Sequence, residues 1–595
     1  MDPDPGGVPQ APLAASSVPT RAELQRQARR HRASISMPAA VALVTLVLRL
    51  IAAANGPTDW DSAQYAAAVG HYDVTHGEPQ PPGYWLFVQA GRVLHQVFGL
   101  GTIHSLVLVA AVASALASGL TAWAGRDLGG WWVGLAAGLV VATSPFAWFS
   151  GSIVATYSFD MLAAGLLIIL AWLARPGSWH GMVAVGAIGL LAGFRQSIIQ
   201  EFAILALIAV AGSTRRWGQF LLTLAVGVAG VAVWLVPMAV EQPGGVSAWI
   251  RATRIEAVGA EQATSVLDHA AGGPTNLGTF AGYTLMALGP LALLAVLGGL
   301  ALLIQNGGGR HRSERDRALS EGPVTPEAVD PWKRPWYQSR PAILVAAIIP
   351  PMLVVSLVEF AKGGYLLAYL PGAVIALLLP LGALNRRSEW SDRTSLPWLA
   401  VTSAGIVVVV ALGAQRFVSG QGVLPERLLQ TSGWLWLRQP RYQAPYADSR
   451  SAIRTADAAD AALRGLAPLI RSRSDVVVFD LVDGGANIYR NAGWELPDDR
   501  TALIGPGQVV YNQLHGALYY ATGDTVSVGP SGSVLLVASP ALPDLASLIA
   551  TGQALPVSTL QPISGFQVWR VLPGTSVLGV RVVTSAGPRP LGQGI

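Results

Sequence analysis

The sequence predicts an α-helical polytopic membrane protein of about eleven transmembrane helices, followed by a small C-terminal extracytoplasmic α/β domain. Three observations lead there. Apolar runs long enough to cross a bilayer recur from residue 37 to 417, charge is scarce across them, and the basic residues collect in alternate connecting segments.

Each run is placed by the need for roughly 20 apolar residues to cross a hydrocarbon core of about 30 Å. Spans are expected near 37–54, 104–124, 129–147, 152–174, 179–194, 197–213, 218–240, 277–304, 341–360, 364–384 and 396–417, the eighth long enough to tilt. Hydrophobic residues make up 52% of the 595-residue chain and charged residues 12%. Soluble domains carry about 25% charged residues, so most of this chain belongs in lipid. Mean hydropathy is +0.45. The net charge of +5 lies in short loops rather than on one soluble face, which speaks against a nucleic-acid partner. With no cysteine, disulfides, thiolate catalysis and zinc–cysteine sites are excluded.

Residues 1–36 read as a disordered cytoplasmic tail, with Arg21, Arg26, Arg29, Arg30 and Arg32 ahead of the first run. That run lacks a small-residue cleavage site, so it is expected to stay as the first span. Residues 81–100 pose the one ambiguity, because they are apolar but carry Arg92, His95 and two leading prolines. If they span, Arg126, Arg175, Arg215, Arg216, the 310–340 cluster, Arg386 and Arg387 all face outward. If they lie on the outer surface as an amphipathic helix, all of these share the cytoplasmic side with the N-terminal arginines, as the positive-inside rule requires. The transmembrane domain 37–417 then has an outer loop at 55–103, a second at 241–276 and a disordered cytoplasmic loop at 305–340.

Residues 418–595 form the extracytoplasmic domain. An amphipathic helix is expected over 449–471, a helix over 542–551, and strands at 476–481, 533–539 and 568–572. No internal repeat is visible. Trp494 and Tyr489 are its candidate exposed aromatics, with core packing the plainer reading.

Polar residues crowd the first outer loop: Asp59, Asp61, Gln64, Tyr65, His71, Tyr72, Asp73, His76 and Glu78. Acids fixed beside a bilayer are desolvated on one side, which suits a general base or a metal ligand.

Thr58-Asp59-Trp60-Asp61-Ser62-Ala63-Gln64-Tyr65, followed by Pro81-Pro82-Gly83-Tyr84-Trp85, resembles the first outer loop of GT-C glycosyltransferases. The similarity is to the branch of protein O-mannosyltransferases and lipid A aminoarabinose transferases. It continues through Ser144-Pro145, Tyr157-Ser158-Phe159-Asp160 and the run from Lys362-Gly363-Gly364-Tyr365 to Pro371, covering roughly 37–385. Ser62 stands where the family often has Glu or Asp, and Gln80 where relatives commonly have His.

The resemblance implies a GT-C-like membrane fold and transfer of a sugar from a polyprenyl-phosphate donor to an extracytoplasmic acceptor, with inversion. Such a donor needs no nucleotide site, and no fitting Gly-rich phosphate loop is present; Gly307–Gly309 lies in a polar cytoplasmic loop. Asp61 is the expected general base and Asp59 the second choice. Lys362, Arg195 and Arg49 are candidates for the donor phosphate, and Tyr65, Tyr157 and Tyr365 for substrate contact. Asp160 is a candidate to orient the acceptor or to share a divalent metal ion with Asp61, the one cofactor considered. Each has a plainer reading: solvated loop acids, an interfacial lysine, Arg195 paired with Glu201, Arg49 snorkelling or paired with a loop acid, belt aromatics including Trp85, and His71, His76 and His269 as loop hydrogen-bonders. Two other functions stay open: a transporter or flippase, which would place polar residues near the midplane, and a non-catalytic scaffold.

Overall fold

The computed structural model describes residues 21–265, 273–308, 334–357, 362–388, 395–420 and 448–473. In the C-terminal domain it describes 476–480, 492, 496, 501–505, 519–521, 523–528, 532–538, 542, 544–558 and 566–584. His269, Tyr489, Trp494, residues 1–20 and most of the 305–340 loop lie outside the described residues.

The membrane domain is helical throughout. Its elements are α1 (Arg21–Ile51), α2 (Trp60–Gly70), α3 (Trp85–Phe98), α4 (Thr102–Gly129), α5 (Trp131–Thr143), α6 (Pro145–Ser150), α7 (Ser158–Leu173) and α8 (His180–Leu191). Then come α9 (Ser197–Ser213), α10 (Trp217–Glu241), α11 (Gly245–Thr264), α12 (Gly273–Gly308), α13 (Arg340–Leu357), α14 (Leu370–Ser388) and α15 (Ser395–Ser419). Among the described residues five stretches are long and apolar enough to cross a membrane: Thr102–Gly129, Trp217–Glu241, Phe280–Leu303, Arg340–Leu357 and Ala400–Ser419. Shorter apolar helices of 10–17 residues fill the other expected positions. Leu43, Val44 and Val47 on α1 and Leu221, Leu222 and Val228 on α10 are exposed, as side chains that face lipid should be.

Helix ends depart from the expected boundaries in a consistent way. α1 is one continuous helix from Arg21, because its basic stretch consists largely of good helix formers, so the tail expected to be disordered is helical over its last part. The span expected at 129–147 breaks at Ser144, since the residue before a proline avoids the α region, and α6 restarts at Pro145. The expected spans beginning at 152 and 364 start as helices only at Ser158 and Leu370. α7 has 16 residues and α8 has 12, about 24 and 18 Å at the usual rise. Irregular backbone survives at such depth only where protein surrounds it; Ser152, Thr156 and Leu366 are all buried.

α4 forms the hub, packing against α1, α5, α7 and α3. Its buried side is made mainly of alanine, serine and glycine, which lets backbones approach as membrane helices do. α3 lies against α4 with Phe87 and Val88 buried and Val97 and Phe98 exposed, an amphipathic helix as expected.

The C-terminal domain begins with α16 (Arg450–Arg473) and contains α17 (Leu545–Ala550). Strands β1 (Val476–Asp480), β2 (Thr501–Gly505), β3 (Tyr519–Ala521), β5 (Val534–Ala538), β6 (Ala554–Pro556) and β7 (Gln567–Val571) build a sheet in the order β3-β2-β1-β5-β7-β6. The β3-β2-β1-β5 part is parallel; β7 and β6 are antiparallel. Strands β4 (Thr525–Val528), β8 (Ser576–Val577) and β9 (Val580–Thr584) form a second, three-stranded sheet. Val477 and Phe479 pack with Leu463, Leu466 and Ile470 of α16, while Val478 packs with Leu545 and Val582 on the other face. Burial on both faces explains why β1 reads as a continuous apolar run.

Candidate active site

Four interruptions of the helical framework meet in one place: the N-terminus of α2, the turn 151–157 ahead of α7, the turn 192–196 between α8 and α9, and the 3-10 turn Gly363–Ala368 ahead of α14. Asp59 is the N-cap of α2. Its Oδ1 accepts from the Ser62 backbone N–H at 2.9 Å and from the Ser62 hydroxyl at 2.6 Å. An acid here also meets the positive end of the helix dipole. The Ser62 hydroxyl lies 3.0 Å from the Val154 carbonyl as well, so this serine brackets the loop onto the 151–157 turn.

Asp61, in the first turn of α2, is held differently. Its Oδ2 accepts from the Lys362 ammonium at 2.9 Å, across 301 residues of sequence. Burial and the neighbouring Asp61 carboxylate push the Asp59 carboxyl up, against Lys362 and the Ser62 hydrogen bonds. Burial alone would lower Lys362, but Asp61 and Asp59 together hold it above its ordinary value.

Gly363 and Gly364 follow Lys362 because nothing larger fits. A Cβ at Gly363 would run into the Asp448 carboxylate and the Phe146 ring, and one at Gly364 into the Tyr157 ring. Gly364→Ala is therefore expected to cost about 1–3 kcal/mol of stability by overpacking, read as a lower thermal unfolding temperature in detergent.

Behind this pair sits a second one. Arg195 Nε meets Asp160 Oδ2 at 2.7 Å, with both side chains almost fully buried. The guanidinium lies over the rings of Tyr157 and Tyr365, 4.6 and 4.9 Å from their centroids, and its Nη1 donates to Thr156 Oγ1 at 3.3 Å. Tyr157 and Tyr365 meet edge to face at 5.2 Å. The plainer reading of Arg195 pairs it with Glu201; the turn before α9 instead aims the guanidinium at the first turn of α7.

Two expected residues are placed elsewhere. Arg49 is fully buried, donates to Ser114 Oγ at 3.0 Å and the Ala142 carbonyl at 2.8 Å, and faces the Trp148 ring. It clamps α1 to α4 and α5. Tyr65 is 2% exposed, wedged between Tyr84 and Phe87, so it supports the site from within rather than lining it. Trp85 donates its Nε1 to Glu241 at 2.7 Å, and His71 and His76 bond Glu78 and Asp73 within the loop.

Among the described residues no three His, Asp or Glu side chains converge. The two carboxylates expected to share an ion are each neutralised by a cation of the chain, Asp61 by Lys362 and Asp160 by Arg195.

Three charged residues join the site that sequence reasoning missed. Glu256 of α11 is pushed up by burial and by Asp61, against Lys362. Asp448, just ahead of α16, sits against Gly363, and Arg416 near the end of α15 lies over the Phe146 ring at 5.3 Å. Glu256 carried a weak signal, as an acid on an amphipathic segment of the second outer loop. Asp448 and Arg416 carried none, since only the chain's return brings them here.

No protein-family model matches the chain, and no curated protein sequence matches it either. Among solved structures it is similar to ArnT from Cupriavidus metallidurans bound to undecaprenyl phosphate, at 14% identity and a TM-score of 0.47, covering 90% of this chain and 97% of that one. The same enzyme in the apo state gives 13% identity, a TM-score of 0.44 and coverage of 89% and 97%. The Archaeoglobus fulgidus oligosaccharyltransferase in the apo form gives 13% identity, a TM-score of 0.38 and coverage of 78% of this chain and 64% of that one.

Proposed function

We propose that the protein is an integral membrane glycosyltransferase of the GT-C kind, passing a sugar from a polyprenyl-phosphate donor to a glycan, lipid or protein acceptor outside the cytoplasm, with inversion. The observation that carries this reading is the carboxylate–ammonium pair of Asp61 and Lys362 at 2.9 Å, backed by the Arg195–Asp160 pair where the helix interruptions meet. In this reading the N-terminus is cytoplasmic and the C-terminal domain extracytoplasmic, so the site opens at the outer leaflet.

The step asks three things of the chain. The acceptor hydroxyl attacks the anomeric carbon and gives its proton to the Asp61 carboxylate. The bond from that carbon to the phosphate oxygen breaks, its electron pair leaving on the phosphate. Lys362, with Arg195 behind it, stabilises the charge that develops there. As Lys362 turns toward the phosphate, the Asp61 carboxylate is freed of its ammonium partner and open to the acceptor hydroxyl. Asp59 caps α2 and fixes the angle from which Asp61 acts, and Tyr157 and Tyr365 shape the floor around Arg195. Arg49, fully buried among α1, α4 and α5, holds helices together and takes no part in the step.

The test is to purify the protein, identify the copurifying lipid by mass spectrometry, and assay transfer from that sugar-phospholipid in liposomes. Lys362→Met is expected to lose about 10²–10³-fold in transfer, the scale of one lost charge-stabilising group, and to retain less donor lipid. Transfer unaffected by Lys362→Met, or lipid flux across the liposome with no glycosidic product, would overturn the reading in favour of a transporter.

A further inference from the structure

Beyond the pairs already described, the chain brings a carboxylate to this site from its far end. Asp448 stands two residues ahead of α16, the first helix of the C-terminal domain, and its position is fixed on two sides. Ser449 begins α16 by accepting the Ala452 N–H on its hydroxyl at 3.3 Å, which sets the direction in which the chain enters the helix. Two turns further on, Asp457 grips the linker after α1: Oδ1 accepts from the backbone N–H of Asn55 at 2.8 Å and of Gly56 at 3.1 Å, and Oδ2 from the Asn55 side chain at 2.9 Å. Asp460 lies over Gly56, where a Cβ would collide with it. The helix therefore docks three residues before Asp59, and its leading residue comes to rest on Gly363, beside Lys362.

We infer that Asp448 is a positioning residue of the transferase site, supplied by the C-terminal domain, whose ionisation sets how much of the Lys362 and Arg416 charge is available to an anionic lipid phosphate. The inference rests on the transferase reading for the identity of that ligand. Its geometry is independent of it: a half-buried carboxyl enclosed by Gly363 and Phe146, facing Arg416 from α15, Tyr283 from α12, Lys362 from the 3-10 turn and Asp59 from the first outer loop. Desolvation raises this carboxyl to about 7, Arg416 and Lys362 opposing the rise and Asp59 adding to it. Protonated, Asp448 leaves both cations to the phosphate. Ionised, it competes for them and repels the incoming anion, so donor binding weakens as pH rises through neutrality.

The experiment compares wild type with Asp448→Asn, using undecaprenyl phosphate as the probe and measuring affinity from pH 6 to pH 8 in detergent. The probe's own second ionisation, near pH 6, is common to both proteins and cancels in the ratio of their affinities. That ratio should change about tenfold in favour of Asp448→Asn across the range, the factor equivalent to one pKa unit of coupling. In transfer the same change should appear in kcat/KM for the donor, because Lys362 acts on the phosphate both when it binds and when it leaves. Asp448→Ala should behave like Asp448→Asn. A constant ratio across the range overturns the inference. If neither protein binds the lipid at any pH, the lipid-phosphate reading fails. The infrared band of a protonated carboxyl then decides for Asp448: present in wild type, titrating near neutrality and lost in Asp448→Asn if the inference holds, or identical in both proteins if it does not.

Discussion

Asp61→Asn should reduce sugar transfer about 10²–10⁴-fold, the range that a positioned general base contributes, while the protein is expressed and folds as before. Asparagine matches the shape of the carboxylate and still accepts from Lys362, but it takes no proton from an acceptor hydroxyl. The pair is partly solvated, with the Lys362 side chain 30% exposed and Asp61 15% exposed, so the stability lost should be small. Asp59→Asn is the matched control. Asparagine caps helices as well as aspartate does, and the Oδ1 of Asp59 is already committed to the N–H and hydroxyl of Ser62. Its loss should cost transfer less than tenfold on the same scale. A larger loss at Asp59 than at Asp61, in the liposome assay, would reverse the two roles.

Arg195→Met should have the largest effect on stability, about 3–5 kcal/mol, because it takes the guanidinium away from a buried carboxylate. Asp160 is fully buried and Arg195 only 5% exposed at the side chain, so water cannot replace the lost partner. Membrane-level burial makes the remaining charge costlier still. The loss should appear as a depressed unfolding temperature and a reduced folded yield in detergent. Arg195→Met combined with Asp160→Leu should recover most of the stability, since replacing both members of a buried pair by apolar groups removes the buried charge. Transfer should not recover with it, because the cation behind the donor phosphate is gone. Recovery of both together would mark Arg195 as purely structural.

The glycine and lysine substitutions bear on the same architecture from the other side. Gly364 and Gly363 are where the 3-10 turn yields space, to Tyr157 and to Asp448 respectively. The turn exists because the chain ahead of α14 does not form an α-helix until Leu370. What looked like part of a span is the wall of the site.

Hydropathy and charge determined the membrane character, the apolar runs that become helices, the amphipathic helix at 85–98 and the first and central strands of the C-terminal sheet, because burial in lipid and in a two-sided sheet acts on composition along the chain; the helices Trp60–Gly70 and Gly245–Thr264, in the expected outer loops, were not legible. The residues singled out in the sequence, Asp59, Asp61, Asp160 and Lys362 on the resemblance and Arg195 on its place at the end of an apolar run, include the members of both ion pairs. Only the tertiary structure decided who pairs with whom. Asp61 meets a lysine 301 residues away, Arg195 turns to Asp160, Arg49 is locked among helices, and Asp448 arrives from the C-terminal domain. Short edge strands such as β3, β6 and β8 were missed for a related reason: two or three residues have too little periodicity to read, and the neighbouring strand supplies their order. Composition records whether a residue is buried; it does not record which distant charge the folded chain will bring against it, because that depends on where helices stop, and they stop where packing rather than hydropathy allows.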